Sequence, residues 1–136
     1  MKVAFATEDL QHVDAHFGWA SKMAIFEILP DNYQLLNIAE FSSDDQEDGN
    51  EDKLIPRLEA IADCSILYVS AIGGSGAARV VAMNIHPVKV AQTEVISDLI
   101  ARLQTVICGT PPPWLRKALN KGKARNFDFE DEVLHD

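Results

Sequence analysis

"SILYVSAIGGSGAAR", Ser65 to Arg79, decides the fold. Ser65–Ile72 is nearly continuous apolar sequence, the pattern of a strand buried on both faces. Gly73 to Gly76 interrupt it, and Ala78, Val81 and Met83 then predict a helix over about Ala77–Asn84. A buried strand that turns through glycines directly into a helix is a unit of a parallel α/β sheet.

Toward the C-terminus, Pro87–Ala91 reads as a short strand. Glu94–Val106 carries Val95, Ile96, Leu99, Ile100 and Leu103 at helical spacing, with Thr93 as its cap. Toward the N-terminus, Lys53–Ala62 places Leu54, Ile55, Leu58, Ile61 and Ala62 on one helical face, with Asp52 as cap and Pro56 near the first turn. Lys2–Ala6, Lys22–Leu29 and Tyr33–Phe41 are strands joined by short links, which favours an antiparallel meander. The order βββ-α-β-α-β-α with right-handed crossovers implies a five-stranded mixed sheet, order 3-2-1-4-5, with helices on both faces. That is a ribonuclease-H-like α/β sandwich. Residues 1–109 form its single domain, and 110–136 a C-terminal extension. Three prolines open the extension, a short basic helix over Trp114–Lys121 follows, and FDFEDEVLHD is an acidic end.

Strands 1, 4 and 5 of this topology are parallel, so their C-terminal ends share one edge of the sheet. The loops Thr7–Gly18 and Gly73–Gly76, with Gln92 and Thr93, converge there, where open α/β sheets bind ligands. His16 faces the glycine turn across that edge, and Cys64 and His86 belong at the opposite one.

Composition sets outer bounds. The 136 residues are 47% hydrophobic and 24% charged, ordinary for one globular domain. No apolar run approaches a membrane span and the start lacks the pattern of a signal peptide, so the cytoplasm is the expected location. Cys64 and Cys108 lie outside any CxxC pair, which argues against a zinc ribbon or a disulfide framework. A net charge of −9 disfavours nucleic acid and anionic membranes as partners. Five of the 12 basic residues, Arg116, Lys117, Lys121, Lys123 and Arg125, nonetheless fall in one short stretch.

Several residues carry two readings. His16 is either a metal ligand or proton carrier, or a turn histidine with Phe17 plugging the core and Gly18 supplying a positive φ. Gly73, Gly74, Ser75 and Gly76 either present free N–H groups to an anion, aided by Arg79, or simply make a tight turn. The stretch has no Gly-Lys-Ser/Thr and is not a Walker A loop. Cys64 is a metal ligand or a small buried hydrophobe, and Cys108 takes the second reading. His12 and His135 read as solvated, and Asp14 has no assignment. TPPPWLRKALNKGKAR is a docking element anchored on Trp114, or a helix packed back by Trp114 and Leu115. The acidic stretch from Asp44 starts like a calcium loop but has Ile55 where the bidentate Glu belongs. Metal-dependent phosphoryl transfer is the weakest alternative, because neither central strand holds a carboxylate and Glu8 and Asp9 lie past the strand end.

Taken in order, VDAHFG, NEDKL, GGSGAAR, IHPVKV and GTPPPWLRKAL resemble the dinitrogenase iron–molybdenum cofactor biosynthesis family over about Met1–Leu119, in its NifX branch. The related NafY type carries an extra N-terminal domain, for which this sequence shows no counterpart, so the NifX type is the expected match. The resemblance implies a non-enzymatic carrier that binds the iron–molybdenum cofactor or its iron–sulfur precursor transiently. It would receive the cluster from a cofactor-synthesis scaffold protein and pass it to apo-dinitrogenase or another carrier. The histidine of the HFG motif is the family's proposed cofactor ligand, which maps onto His16. Cys64 remains a second candidate ligand, and the alternative is an adaptor that binds assembly proteins without holding a cluster.

Overall fold

A computed structural model of the chain describes residues 1–41 and 53–121. Asp52, the calcium-like stretch, Lys123, Arg125, His135 and the acidic end lie outside these residues. Five strands form one mixed sheet: β1 (Lys2–Thr7), β2 (Lys22–Ile28), β3 (Tyr33–Glu40), β4 (Ile66–Val69) and β5 (His86–Lys89). Their order is β3-β2-β1-β4-β5. β1 is central, antiparallel to β2 with Phe5 opposite Ala24, and parallel to β4 with Val3 opposite Ile66. β5 continues the parallel half, with His86 opposite Ile66.

Alternation along β1 sends its side chains to two separate cores. Ala4 and Ala6 join Met23, Leu67, Val69 and Phe17 on the face covered by α1 (Leu54–Ala60) and α2 (Gly74–Ala82), through Leu58, Ile61 and Val80. Val3 and Phe5 join Ile66 and Tyr68 on the other face, beneath α3 (Ile96–Cys108). Phe5 stacks on Tyr68 at 5.0 Å and meets Phe26 edge-on at 5.6 Å. A last helix, α4 over 113–121, adds fully buried Leu115 and nearly buried Ala118 to this second core. The basic segment is therefore packed on the domain, as one of its two readings required.

The elements differ from sequence expectation where tertiary contacts intervene. α1 starts at Leu54 with Lys53 at its cap and no side-chain capping bond. Ile55, expected on its apolar face, is exposed, while Arg57 is fully buried. The Arg57 guanidinium satisfies itself on backbone carbonyls, donating to Ala20 at 3.2 and 2.8 Å and to Lys53 at 2.8 Å. α3 starts at Ile96 rather than Glu94, with Val95 instead of Thr93 at the cap. Its expected first turn is drawn into pairing with the loop after β1: Val13 N–H donates to Glu94 O at 3.0 Å and Ile96 N–H to Gln11 O at 2.8 Å. Cys108 is exposed rather than buried, its thiol pointing to Pro30 O at 3.6 Å. Among the described residues no helix is long and apolar enough to cross a membrane.

Candidate functional site

The loop from Thr7 to Gly18 is built by its acids. Thr7 is fully buried at the end of β1, and its hydroxyl accepts from Leu10 N–H at 2.9 Å. Asp9 Oδ1 accepts from the N–H groups of Gln11 and His12, both at 2.8 Å, and Asp9 Oδ2 meets His12 Nδ1 at 2.7 Å. These backbone donors, with the His12 ring, hold the Asp9 carboxyl well below its ordinary range. His12 is thus half-buried and paired rather than simply solvated. Asp14, which had no assignment, ties the loop across itself by accepting from Glu8 N–H at 2.8 Å. Glu8 in turn receives Ser21 N–H at 3.0 Å and the Ser21 hydroxyl at 2.5 Å. Both carboxylates considered for metal chemistry are engaged in shaping loops. The sequence signal for this is Asp9 itself, a short carboxylate that accepts from backbone N–H groups two and three residues on, the Asx-turn pattern.

From Asp14 onward the loop runs beside the end of β4. Ser70 N–H donates to Ala15 O at 3.0 Å, Phe17 N–H donates to Ala71 O at 2.9 Å, and His16 forms an isolated parallel bridge with Ala71. Ala15 and Phe17 are buried, whereas His16 between them is exposed. Its imidazole makes no hydrogen bond or ion pair with the described residues, so local turn chemistry does not account for it. Phe17 plugs the core at 1% exposure. It opens a short 3-10 turn, Phe17–Trp19, that returns the chain to β2. Gly18 does not adopt the positive φ expected of it; a Cβ there would touch Leu54 and Lys53 at 3.4 Å, so it serves close packing on α1. Positive φ occurs instead at Leu10 and Asn84.

The glycine stretch is helical from Gly74, three residues earlier than expected, with Gly73 at the cap. Ala77 N–H closes the first turn onto Gly73 O at 2.9 Å. The N–H groups of Gly74, Ser75 and Gly76 consequently lack intrahelical acceptors. Gly76 is buried, and a Cβ on it would lie 3.3 Å from Phe17 Cδ2 and 3.4 Å from Ile72 Cγ1. Phe17 thus joins the HFG segment directly to the helix start. A Cβ at Gly73 or Gly74 would meet nothing within 4 Å, so neither packing nor φ demands glycine there. Arg79 stands half-buried in the last turn of α2, about 7.5 Å along the helix axis from Gly74. Ser70 Oγ is buried at this edge with no hydrogen-bond partner among the described residues.

Cys64 lies at the other edge, just before β4, at 2% exposure. Burial pushes its thiol up to about 12, which keeps it protonated near neutral pH. His16 and Cys64 are therefore not brought together. Among the described residues no three His, Cys, Asp or Glu side chains stand together as a metal site. Among the described residues this edge presents one exposed imidazole, three backbone N–H groups without intrahelical acceptors and open space over two glycines.

Comparison with known proteins gives this arrangement a family. A profile described as "Dinitrogenase iron-molybdenum cofactor" matches residues 1–106. A NifX protein of Herbaspirillum seropedicae is 61% identical over 133 residues, 98% of this chain and 91% of its own. NifX of Azotobacter vinelandii is 37% identical over 94% of this chain and 82% of its own length. NifY of the same organism is 34% identical, with 95% of this chain matched to 52% of that protein. The crystal structure of PH0822 superimposes with a TM-score of 0.58 over 77% of this chain and 91% of its own, at 19% identity, a likeness of fold. The chain belongs to the dinitrogenase iron–molybdenum cofactor family.

Proposed function

We propose that this protein is a non-enzymatic, cytoplasmic carrier of the nitrogenase iron–molybdenum cofactor or its iron–sulfur precursor, built on a ribonuclease-H-like sandwich. The cluster is cargo. His16 supplies one imidazole ligand to iron or molybdenum, while the N–H groups of Gly74, Ser75 and Gly76 and the charge of Arg79 hold the anionic cluster. The carrying observation is the direct join between the two halves of this site: Phe17, the neighbour of His16, lies 3.3 Å from the position of a Cβ on Gly76.

The donor set suits a temporary load. A resident iron–sulfur cluster is held by several cysteine thiolates, and both cysteines of this chain lie elsewhere. A single exposed imidazole with backbone donors holds a cluster that arrives preassembled and leaves intact. Open space above Gly73 and Gly74 lets a bulky anion approach the backbone. The rigid loop held by Asp9 and Asp14 positions the imidazole without a separate ordering step. The donor is a cofactor-synthesis scaffold protein, and the recipient is apo-dinitrogenase or another carrier.

The reading is tested by mixing the full chain with isolated cofactor under anaerobic conditions, followed by gel filtration and metal analysis. Molybdenum and iron should co-elute with the protein in stoichiometric amount. Elution of all metal in the small-molecule fraction would contradict the carrier reading and favour the adaptor.

A further inference from the structure

At the opposite edge of the sheet, a cleft of about 660 Å³ opens between the end of α2, the start of β5 and α4. Its apolar surface comes chiefly from Val81, which is 57% exposed, and Trp114, with buried Ile85 beneath them. Trp114 is set in place by His86, whose ring stacks on it at 4.1 Å and 14°. Burial lowers the His86 pKa, so the imidazole is neutral near pH 7 and adds no charge.

The charged residues that line the cleft are basic, and Asp63, just outside it, is paired with Lys2. Lys117 and Lys121 line it, and none of its lining residues is a carboxylate. The described helix over 113–121 carries Arg116, Lys117 and Lys121 and no acid. Lys121 is pinned, its ammonium donating to the carbonyls of Cys64 at 2.6 Å and Met83 at 3.1 Å. Lys117 is exposed at the rim. An apolar floor with a lysine rim is complementary to an acidic segment carrying a bulky apolar side chain.

We infer that this cleft is a protein-docking site whose occupant is an acidic partner segment with an aromatic or aliphatic anchor. The anchor sits against Val81 and Trp114, and the partner's carboxylates face Lys117 and Arg116. The cleft lies beyond the N-terminal ends of β4 and β5, whereas His16 lies beyond the C-terminal end of β4. A partner can therefore be held without covering the cargo. As the identity of a delivery partner's contact, this rests on the carrier reading; the binding test below does not.

The test uses the full chain without cargo and a synthetic acidic peptide, Asp-Glu-Phe-Glu-Asp-Leu-Glu, labelled with fluorescein. Anisotropy reports affinity, and NMR of the imidazole and indole groups reports location. Binding should be saturable, should shift His86 and Trp114 resonances while leaving His16 and Trp19 in place, and should weaken about fivefold or more in Lys117→Glu. His16→Ala should bind the peptide normally, so failure of cargo capture and failure of docking are separable. Equal affinity for the Asn/Gln version of the peptide, or equal affinity of Lys117→Glu, would overturn the proposal. Binding seen only after Asp128, Glu130, Asp131 and Glu132 are replaced by amides would make the chain's own sequence the occupant and also overturn it.

Discussion

The two ends of the parallel strands are built on opposite principles. At the C-terminal end, backbone is exposed and side chains are few: Gly73, Gly74 and Ser75 lie open, and His16 is a single imidazole at the surface. At the N-terminal end, side chains dominate: Cys64 is buried, Lys121 is locked onto two carbonyls, and His86 is stacked on Trp114. The first end can approach a bulky anion through N–H groups, and the second is shaped for side-chain recognition. In the proposed reading, one sheet separates the edge that holds cargo from the edge that holds a partner.

The contrast is broken most severely by removing its buried hinge. Phe17→Ala should destabilise the fold by about 3–5 kcal/mol, because it empties a fully packed position that also supports Gly76. Trp114→Ala, at 36% exposure, should cost markedly less. Urea midpoints of the two variants compare the edges directly, and a larger loss at Trp114 would refute the assignment of the core.

A smaller effect separates the glycines. Gly76→Ala must displace Phe17 or Ile72 and should destabilise, whereas Gly74→Ala meets nothing and should gain up to about 1 kcal/mol from helix propensity. The same Gly74→Ala substitution should weaken cargo capture if the cluster approaches this backbone. Stability gained together with unchanged capture would move the cargo away from the glycines.

Acid should loosen both edges through different carboxylates. Asp9 in the loop after β1 and Asp63 just before β4 both have pKa values lowered below 3.8, the first by loop N–H groups and His12, the second by Lys2. A depressed carboxylate contributes stability above its unfolded pKa and loses it as pH falls toward the folded value. Stability should therefore fall below about pH 4, and Asp9→Asn should flatten that decline while leaving the pH 7–8 region level. Hydrogen exchange of the Gln11 and His12 amides, accelerated at pH 3 in the parent chain, checks it.

The smallest effect is chemical. Iodoacetamide at pH 8 should label exposed Cys108 and spare Cys64, whose thiol is pushed up to about 12 by burial. Mass spectrometry of tryptic fragments reads the outcome, and rapid Cys64 labelling would place it back among the accessible ligands.

The sheet order was legible because Ser65–Ile72 has the pattern of a buried strand and short links favour the meander. The placement of His16 and Cys64 at different edges followed from that order without any side-chain information. What sequence concealed were choices made by tertiary contact. Glycines oppose helix propensity, yet Gly74 and Gly76 are helical because Gly76 packs beneath Phe17. Glu94 and Val95 were periodic with α3, but the loop after β1 captured their backbone. Arg57 broke the amphipathic pattern of α1 because carbonyls of Ala20 and Lys53 replace its water. Asp14 was opaque because its role is a single bond to a backbone group six residues away.

In the proposed carrier, cargo is held at the His16 edge by that imidazole. The direct measurement is an anaerobic binding isotherm for isolated iron–molybdenum cofactor with the full chain, His16→Ala and His12→Ala, each verified by circular dichroism. His16→Ala should capture at least about tenfold more weakly, roughly 1.4 kcal/mol, and His12→Ala should capture like the parent chain. Equal affinity of His16→Ala and the parent chain would contradict it.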